Sequence, residues 1–447
     1  MLYKLVILTA LLVPVLADIT RDVCILGGGA TGTYAAVQLL ERGQSVIVVE
    51  QKSALGGHSD TFYTPDGEPI NYGILSYFDE KVVRDFLALL GVEHELYTSA
   101  IQTDYVNFKT GQRVSSTTDP AGLVGALTRY RLALQQFSYL ERGRYNLPEE
   151  IPEVLLRPFS EFVDMHDLHD LLPIVYIYAY PIGDVLASPL LYIIQLFGIS
   201  HINAWLHGPF IRPKNGTDAL FRAAARRIGD DNVLYESTVT QTTRDSSGVE
   251  LVVQTADGVQ HIHAKQLLIT FPPLLSSLHG FDLDIAESSL FEKWIHGSLY
   301  VAVVNNSGLP DGHNIINTDP SQPDSLPVAP FEWALFSPGV AGYYTTATVG
   351  NENMSEQDAN ALVLDNIRRM GEAGTFDVND PEIVASESHS PSVMMAPVED
   401  IRGGFYSRLY ALQGQRSTYW TGNTFCTDYS PQLWEYTLDV LDLMFLI

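Results

Sequence analysis

A glycine-rich turn near the start of the chain limits the fold more than any other feature of the sequence. An apolar run, Asp22–Leu26, leads directly into residues 27–32, GGGATG, which contain the pattern G-x-G-x-x-G. A stretch with helical spacing follows from Thr33 to Arg42, and a second apolar run, Ser45–Val49, ends at Glu50. Strand, glycine turn, helix, strand and terminal acid in this register predict a βαβ unit that binds a dinucleotide.

Each residue type in this unit has a mechanical reason. Gly27 permits the tight turn, Gly29 lets the backbone approach a pyrophosphate, and Gly32 lets helix and strand pack closely. The helix N-terminus holds the phosphate charge, and Glu50 accepts hydrogen bonds from a ribose diol, which argues against NADP and its 2′-phosphate. The residues predicted to bind the cofactor in this unit are Gly27, Gly29, Ala30, Thr31, Gly32 and Glu50.

The length and charge of the chain restrict its class of function. With 447 residues, 46% of them apolar, the chain is long enough for two or three folded domains. Its 53 acidic residues outnumber 26 basic ones, for a formal net charge of −27. So acidic a surface repels nucleic acid and anionic membranes, and no basic cluster offsets it. We therefore expect no nucleic acid as a partner.

The first residues have the composition of a secretory signal peptide. Lys4 is followed by an apolar core, Leu5–Leu16, and by Ala17, and this core is too short for a comfortable membrane span. Cleavage after Ala17 would leave Asp18 at the N-terminus. We therefore expect a secreted protein with no stable membrane anchor after cleavage.

Glycosylation signals and cysteines also bear on the compartment. N-glycosylation sequons begin at Asn215, Asn305 and Asn353, in agreement with export as a glycoprotein. Of the two cysteines, Cys24 falls inside the first predicted strand, where a buried thiol is expected. The sequence leaves a disulfide between Cys24 and Cys426 open.

A second glycine turn, Gly56-Gly57-His58, follows Glu50 at short range. With this turn, the chain resembles the flavin-containing amine oxidase superfamily, which carries a Gly-Gly-Arg-type turn shortly beyond the ribose-binding acid. The resemblance is closer to a subgroup of fungal FAD-dependent oxidoreductases that includes beta-cyclopiazonate dehydrogenase. It implies FAD as the cofactor, bound in part by Gly56, Gly57 and His58, with His58 in place of the arginine.

The middle of the chain resembles the second FAD-contacting segment of the family. Residues 215–228 predict a turn and an amphipathic helix. Strands are predicted at Asn232–Arg244, Gly248–Thr255 and Val259–Ala264, and a further one at 266–270 ends in a Pro-Pro turn. In the family, a residue of the first of these strands, here Val239, touches the adenine through its backbone.

The C-terminal region resembles the closing element of amine oxidases, where a strand-to-helix turn meets the ribityl chain. Thr418–Trp420 reads as a short strand, and a helix is predicted from about Pro431. Between them lie Gly422 and Asn423, both implied as cofactor-binding residues. Asn423 replaces the usual acid of the family and can still form a hydrogen bond with a hydroxyl.

These segments predict an α/β fold (α+β overall), with a Rossmann-like FAD-binding domain of the amine oxidase type assembled from discontinuous segments. The predicted parts are a signal peptide, 1–17; the FAD-binding domain, 18–116, 215–285 and 401–447; a helical substrate subdomain, 117–214; and a mixed α/β substrate domain, 286–400. Helices are expected at Asp79–Leu90, Ala121–Leu140 and Glu356–Met370. The apolar run Leu172–Ile199 is interrupted by polar residues and prolines, which favours a core or an apolar substrate pocket over a membrane span.

The family comparison also shows where the chemistry departs from amine oxidases. Those enzymes keep a lysine near the flavin in a Gly-Ser-containing strand, whereas the similar stretch here, 297–302, has none. The electron acceptor therefore stays open, with O2 as one candidate. Phe405 stands where monoamine oxidases have the cysteine that bonds the flavin, so we expect non-covalent FAD. The candidate catalytic residues beside the flavin are Tyr406, His58 and Tyr72.

Three hypotheses for the function follow. The first is a secreted FAD-dependent oxidoreductase that abstracts a hydride from an apolar, nitrogen-containing small molecule. The second is an isomerase of unsaturated lipids, in which the flavin takes a hydride and returns it to the same substrate. The third is a non-catalytic FAD-binding protein. The histidines have no metal-binding spacing and no G-x-S-x-G is present, so neither a metal site nor a hydrolase triad is predicted.

Overall fold

The computed structural model describes residues 16–97, 102–115, 120–207 and 210–445, so nearly all of the predicted signal peptide lies outside the described residues. The strands are β1 Ile19–Leu26, β2 Val46–Val49, β3 Thr61–Tyr63, β4 Pro69–Asn71, β5 Tyr77–Phe78, β6 His94–Tyr97, β7 Gln102–Asn107, β8 Gln112–Arg113, β9 Phe210–Pro213, β10 Val233–Leu234, β11 Thr238–Asp245, β12 Gly248–Thr255, β13 Gly258–Ile269, β14 Ile295–Asn305, β15 His313–Asn317, β16 Phe331–Phe336, β17 Tyr343–Gly350, β18 Glu382–Ser388, β19 Ser392–Met395 and β20 Thr418–Trp420. The α-helices are α1 Ala30–Glu41, α2 Lys81–Leu89, α3 Pro120–Leu134, α4 Phe159–His166, α5 Leu172–Ala179, α6 Leu190–Leu196, α7 Ile199–His207, α8 Asp218–Ile228, α9 Ile285–Phe291, α10 Glu356–Glu372, α11 Val398–Arg402, α12 Phe405–Tyr410 and α13 Ser430–Met444.

The first sheet contains the predicted βαβ unit. Its strands run in the order β10-β2-β1-β13-β12-β11, and β20 also pairs with β13. β1 lies parallel between β2 and β13, with Cys24 opposite Ile47 on one side and Leu267 on the other. The C-terminal half of β1 and all of β2 are buried, as expected for parallel strands with both faces covered. The α/β, Rossmann-like fold is therefore confirmed.

Two predicted strands of this sheet differ from the observed ones. The strand predicted at 232–244 is divided into β10 and β11, which lie at opposite edges of the sheet, and Glu236 between them adopts a left-handed φ of 49°. The strands predicted at 259–264 and 266–270 form a single strand, β13, because no glycine or proline separates them. β13 pairs with β12 along its first half and with β20 at its C-terminal end.

The two ends of the chain meet around α1, which packs against α8 and α13. The ring of Tyr34 on α1 stacks on that of Trp434 on α13, with centroids 5.2 Å apart. The Trp434 indole N–H also donates a hydrogen bond to the Ala30 carbonyl, at 3.1 Å. The C-terminal helix is thereby fixed beside the glycine turn that opens the chain. Cys24 and Cys426 are both buried free thiols, so no disulfide joins them.

The second sheet has the order β18-β14-β17-β16-β15-β7-β8, with β19 paired to β14. The predicted domain boundary at residue 116 differs from this arrangement, because β7 and β8 belong to the second sheet. β7 pairs in parallel with β15, and Val106 on β7 packs in a second core with Ile315 and with Val363 of α10. Burial of these apolar side chains draws residues 102–113 away from the first sheet.

The segment 120–207 is helical, but its elements are shorter than predicted. α3 ends at Leu134, and a 3-10 helix, Gln135–Gly143, continues from it with non-helical backbone at Phe137, Glu141 and Arg142. The apolar run Leu172–Ile199 is divided into α5 and α6. Within the described ranges, no helix is long and apolar enough to cross a membrane. After this segment, β9 pairs with β5 and β6 in a three-stranded sheet. The chain thereby returns to the part of the fold that precedes β7.

Candidate functional site: a dinucleotide cavity

The glycine turn after β1 places the N-terminus of α1 at the wall of a cavity. Gly27 has a φ of +97°, a conformation that side chains disfavour. A Cβ at Gly32 would lie 1.9 Å from the Gly27 carbonyl oxygen, so only glycine fits here. α1 begins at Ala30 rather than at the predicted Thr33, and no side chain caps its first turn. Its first N–H groups are therefore free to bind an anion.

Glu50 lies where β2 ends, and its carboxylate is held by backbone donors. Its Oε2 accepts a hydrogen bond from Gly28 N–H at 2.6 Å, and its Oε1 accepts one from Lys52 N–H at 2.7 Å. The side chain lines the cavity and is 7% exposed. The carboxylate is thus fixed in one orientation and keeps lone pairs for a ribose diol.

The turn at Gly56-Gly57-His58 packs against the first glycine turn. Gly56 N–H donates to the Gly28 carbonyl at 2.8 Å, and a Cβ on Gly57 would come within 2.9 Å of Gly29 Cα. Gly56 and Gly57 have φ values of +128° and +59°. The two glycine turns therefore pack against each other at the cavity wall. Because glycine has no side chain, a ligand can approach the backbone of both turns closely.

The remaining cavity walls come from the segments that the resemblance singled out. Ser237 N–H donates to the Glu50 carbonyl at 2.9 Å, which places Val239 of β11 near the end of β2. On the other side, Gly422 has a φ of +111°, and a Cβ there would lie 2.9 Å from the Thr270 carbonyl oxygen. Asn423 follows and faces the cavity.

The cavity has a volume of about 430 Å³, which lies in the range of ligand pockets. Its lining residues are Leu26, Gly27, Gly29, Ala30, Thr31, Val49, Glu50, Gln51, Lys52, Gly57, His58, Ile74, Ser237, Thr238, Val239, Thr270, Phe271, Pro272, Ser277, Phe281, Ser388, Ser390, Pro391, Gly422, Asn423, Asp428, Ser430 and Leu433. Most of the predicted cofactor-binding residues thus come together. Gly32 and Gly56 lie behind the lining, where they permit the close backbone packing.

His58 belongs to a polar cluster beside the cavity, in which His389 is buried and the other members are half-buried. Its ring stacks on that of His389, with centroids 4.0 Å apart and planes within 12°. His389 Nε2 is 2.8 Å from Asp60 Oδ2, and Lys52 forms an ion pair with Glu387 at 2.9 Å. Burial and the neighbouring His389 hold the pKa of His58 well below its usual range. Burial likewise lowers the pKa of His389 to about 3 and raises that of Asp60. Both imidazoles are therefore neutral, that of His58 in the cavity lining and that of His389 behind it.

Tyr406 and Tyr72 do not line the cavity. Tyr406 is 1% exposed, its ring stacks on Tyr145 at 4.0 Å, and its hydroxyl lies 2.9 Å from that of Tyr192. Tyr72 is half-buried and its N–H donates to the Asp60 carbonyl. Their catalytic roles stay predictions. Phe405 is fully buried and packs edge-on against Trp294.

The residues fit FAD on the geometry of this structure. The uncapped start of α1 suits a pyrophosphate, the fixed Glu50 carboxylate suits a ribose, and the cavity extends beyond them to Asn423 and Leu433, where a longer cofactor is accommodated. In the part of the chain that the structure describes, no group of three or more His, Cys, Asp or Glu side chains is placed to hold a metal ion.

Several lining residues are not among the residues predicted from the sequence. Lys52 follows the ribose-binding acid by two positions, and this spacing could have indicated it. Asp428 and Leu433 flank the start of α13, and Ser388–Pro391 reaches the cavity from the second sheet. No local motif marks these positions, because only the fold brings them to the cavity.

Comparisons with known proteins agree with this cavity. The model of the family described as flavin containing amine oxidoreductase matches residues 30–389. The chain is 42% identical over 428 residues to beta-cyclopiazonate dehydrogenase of Aspergillus oryzae, covering 95% of this chain and 93% of that protein. It is 30% identical over 438 residues to an FAD-dependent oxidoreductase of Cochliobolus heterostrophus, covering 94% and 90%. Among solved structures, a fatty acid isomerase from P. acnes that produces CLA superposes with a TM-score of 0.77 at 18% identity, over 95% of this chain and 99% of that one.

Proposed function

This chain belongs to the flavin-containing amine oxidoreductase family, and from that premise we propose that it abstracts a hydride from an apolar, nitrogen-containing small molecule such as beta-cyclopiazonate. The protein is an FAD-dependent oxidoreductase. The observation that carries the proposed substrate is the 42% identity to beta-cyclopiazonate dehydrogenase, which extends over nearly the whole of both chains.

The residues of this chain bind and orient the cofactor. The free N–H groups at the start of α1 would hold the pyrophosphate, and Glu50 would hold the adenosine ribose. Val239 and Asn423 line the same cavity, where Val239 would contact the adenine and Asn423 the ribityl chain. FAD, when bound there, supplies the two-electron acceptor for a hydride. The protein's own task is then to position the substrate and to move its proton.

Apolar side chains also line the cavity. Ile74, Phe271, Pro391 and Leu433 lie beside the polar groups. These side chains would pack against the bound FAD, and burial of apolar surface contributes about 25 cal/mol for each Å² removed from water.

An anaerobic reduction experiment tests the function. The purified holoprotein should show the visible absorption of oxidised flavin, and beta-cyclopiazonate should bleach it without oxygen. Turnover should then require an added electron acceptor. A flavin that no candidate substrate bleaches would favour a non-catalytic FAD-binding protein instead.

A second candidate function is the isomerase. The superposition on the fatty acid isomerase shows a shared fold, and at 18% identity it shows nothing about a shared reaction. The isomerase hypothesis makes the opposite prediction about acceptors. An isomerase converts a polyunsaturated fatty acid anaerobically with no acceptor, and its flavin is oxidised again at the end of each turnover.

We also propose that the FAD is held without a covalent bond. Phe405 offers no nucleophile, and both cysteines are buried away from the cavity lining. Burial raises the pKa of the Cys426 thiol to about 12 and that of Cys24 further, which disfavours the reactive thiolates. Acid denaturation should therefore release all of the yellow colour into the supernatant, and flavin retained on the precipitate would contradict this.

We propose export through the secretory pathway on the composition of residues 1–17. Asn215 and Asn353 of the sequons are exposed, whereas Asn305 is half-buried. The expected outcome is protein in the medium that begins at Asp18, with glycans at the two exposed asparagines. Intact-mass measurement before and after treatment with a peptide N-glycosidase checks both points.

A further inference from the structure

Asp428 places a carboxyl group inside the cofactor cavity. It lies between Asn423 and the start of α13, and it is both exposed and part of the cavity lining. The surrounding protein nevertheless buries it deeply enough to raise its pKa, and a hydrogen bond from Asn423 partly opposes this rise. Asp428 is therefore an acid whose open side is the cavity.

Asp428 lines a cavity that both sheets border, because Ser388, Ser390 and Pro391 at the end of β18 reach the same lining. Tyr180, which follows α5 in the helical segment, is half-buried, and the nearby Asp428 carboxylate adds to the burial that raises the pKa of the phenol. The ring of Tyr180 stacks on Trp333 of the second sheet, with centroids 3.8 Å apart and planes within 3°. Asp428 thus receives a hydrogen bond from Asn423 and lies near enough to Tyr180 for its charge to raise the pKa of that phenol.

Charge compensation is missing around this group. Within the described residues, Asp428 forms no ion pair with a lysine, arginine or histidine. Burial raises its pKa, and a hydrogen bond from Asn423 partly opposes this rise. The titratable groups that feel its charge are the phenols of Tyr145 and Tyr180, both with raised pKa values. The carboxylate consequently gains no ion pair in the described protein, and a proton is the partner that its surroundings favour.

We propose that Asp428 is a catalytic residue, whose carboxylate accepts the proton that a nitrogen or oxygen atom of the substrate loses when a hydride leaves the adjacent carbon. This inference rests on the proposed function. The C–H bond breaks and its two electrons leave with the hydride to FAD, the N–H or O–H bond breaks and its proton goes to a side-chain oxygen of Asp428, and a C=N or C=O double bond forms. The proton later leaves to solvent, so atoms and charge balance.

The other acids and bases of the site are less suited to this task. His58 is stacked on His389, and Asp60 is occupied by His389 and by Lys52. Both oxygens of Glu50 accept backbone hydrogen bonds. Tyr406 does not reach the lining. Asp428 is exposed, lines the cavity and has no ion-pair partner among the described residues.

The test compares the FAD-loaded wild type with Asp428→Asn and Asp428→Glu, and with Asp442→Asn as a matched control. Asp442 lies near the end of α13 in an ion pair with Arg42, outside the cavity lining. Anaerobic flavin reduction by beta-cyclopiazonate should be slower by about 10²–10⁴-fold in Asp428→Asn. It should recover partly in Asp428→Glu and stay unchanged in the control. The wild-type rate should rise with pH through one ionisation, and Asp428→Asn should lose that rise.

A second readout needs no substrate. Ionisation of a carboxyl group beside the flavin should shift the visible absorption of the resting holoprotein with pH in the wild type and not in Asp428→Asn. Reduction of Asp428→Asn at the wild-type rate, or loss of its FAD, would overturn the proposal, the latter because it would make Asp428 a cofactor ligand. If beta-cyclopiazonate does not reduce the wild type, the proposed substrate fails. The spectral titration then decides on Asp428, and identical responses of the two proteins would overturn its place beside the flavin.

Discussion

At the Gly27 end of the cavity the wall comes largely from one short stretch of chain, whereas at the Asp428 end it comes from distant segments. Gly28 and Glu50, joined by a 2.6 Å hydrogen bond, are 22 positions apart. Asp428 shares the lining with Ser390, which follows β18 of the second sheet, and His58 of the lining stacks on His389 from that same sheet segment. The first end is formed by residues close together in sequence, which we call the local end. The second end, the assembled end, forms only when both sheets have come together.

We expect the two ends to serve different tasks, the local end cofactor binding and the assembled end substrate recognition. The local end consists of backbone groups and one fixed carboxylate, which suit the parts of a dinucleotide that do not change between enzymes. The assembled end consists of side chains from several elements, where substitutions alter shape and polarity without disturbing the glycine turns. We therefore expect substitutions at the two ends to act on different observables.

The largest effect is expected for Gly32→Ala at the local end. Its Cβ would lie 1.9 Å from the Gly27 carbonyl oxygen, so β1 and α1 must separate. We expect a loss of about 3 kcal/mol in the free energy of unfolding and an FAD Kd raised about 100-fold, measured by denaturant titration and flavin fluorescence. Gly43→Ala is the control, because nothing lies near its Cβ, and its positive φ alone should cost about 1 kcal/mol. Equal stability of Gly32→Ala and wild type would show that the close packing is not required.

A second prediction concerns the second sheet, away from the cavity. Glu332 on β16 is fully buried, where its carboxyl accepts hydrogen bonds from Thr346 and Asn366, and burial raises its pKa to about 8. The folded state keeps this proton while the unfolded state releases it above the usual pKa. The contribution of Glu332 to stability is therefore complete at acidic pH and falls as the pH rises toward 8.

The variant Glu332→Gln should remove that dependence. Relative to the wild type, it should gain about 3 kcal/mol in the free energy of unfolding between about pH 5 and pH 7.5, at about 1.4 kcal/mol for each pH unit. Its FAD affinity should not change, since Glu332 does not line the cavity. Unfolding curves at the two pH values check this, and parallel behaviour of variant and wild type would mean that Glu332 is ionised in the fold.

The same contrast explains what the sequence could predict. The glycine turn, β2 and Glu50 were predictable because a turn and its flanking elements are specified by neighbouring residues. The joined β13 and the transfer of β7 to the second sheet were not, because pairing partners are chosen by burial across the whole fold. Strand Gln102–Asn107 carries no local sign of which sheet it joins.

Site side chains follow the same division. Gly27, Gly29 and Glu50 lie at the cavity that their local pattern predicts, whereas Tyr406 stacks on Tyr145 and does not line it. No sequence pattern marks Asp428 as a site residue, because aspartate is common just before the start of a helix. Only the assembled cavity, in which Asp428 joins residues of both sheets, indicates a role for it.

The smallest effect is expected for His389→Ala at the assembled end. Its ring holds His58 by stacking at 4.0 Å and is itself fixed by Asp60, so its removal should free the His58 imidazole and leave Asp60 without that hydrogen bond. We expect the FAD Kd to rise about tenfold, which corresponds to about 1.4 kcal/mol, in flavin-fluorescence titrations of the apoprotein. His389→Phe keeps a ring for stacking but cannot bond Asp60, so it should show a smaller increase. If both variants bind FAD as the wild type does, the cluster of His58, His389 and Asp60 has no part in cofactor binding. The residues of the local end alone would then account for the FAD affinity.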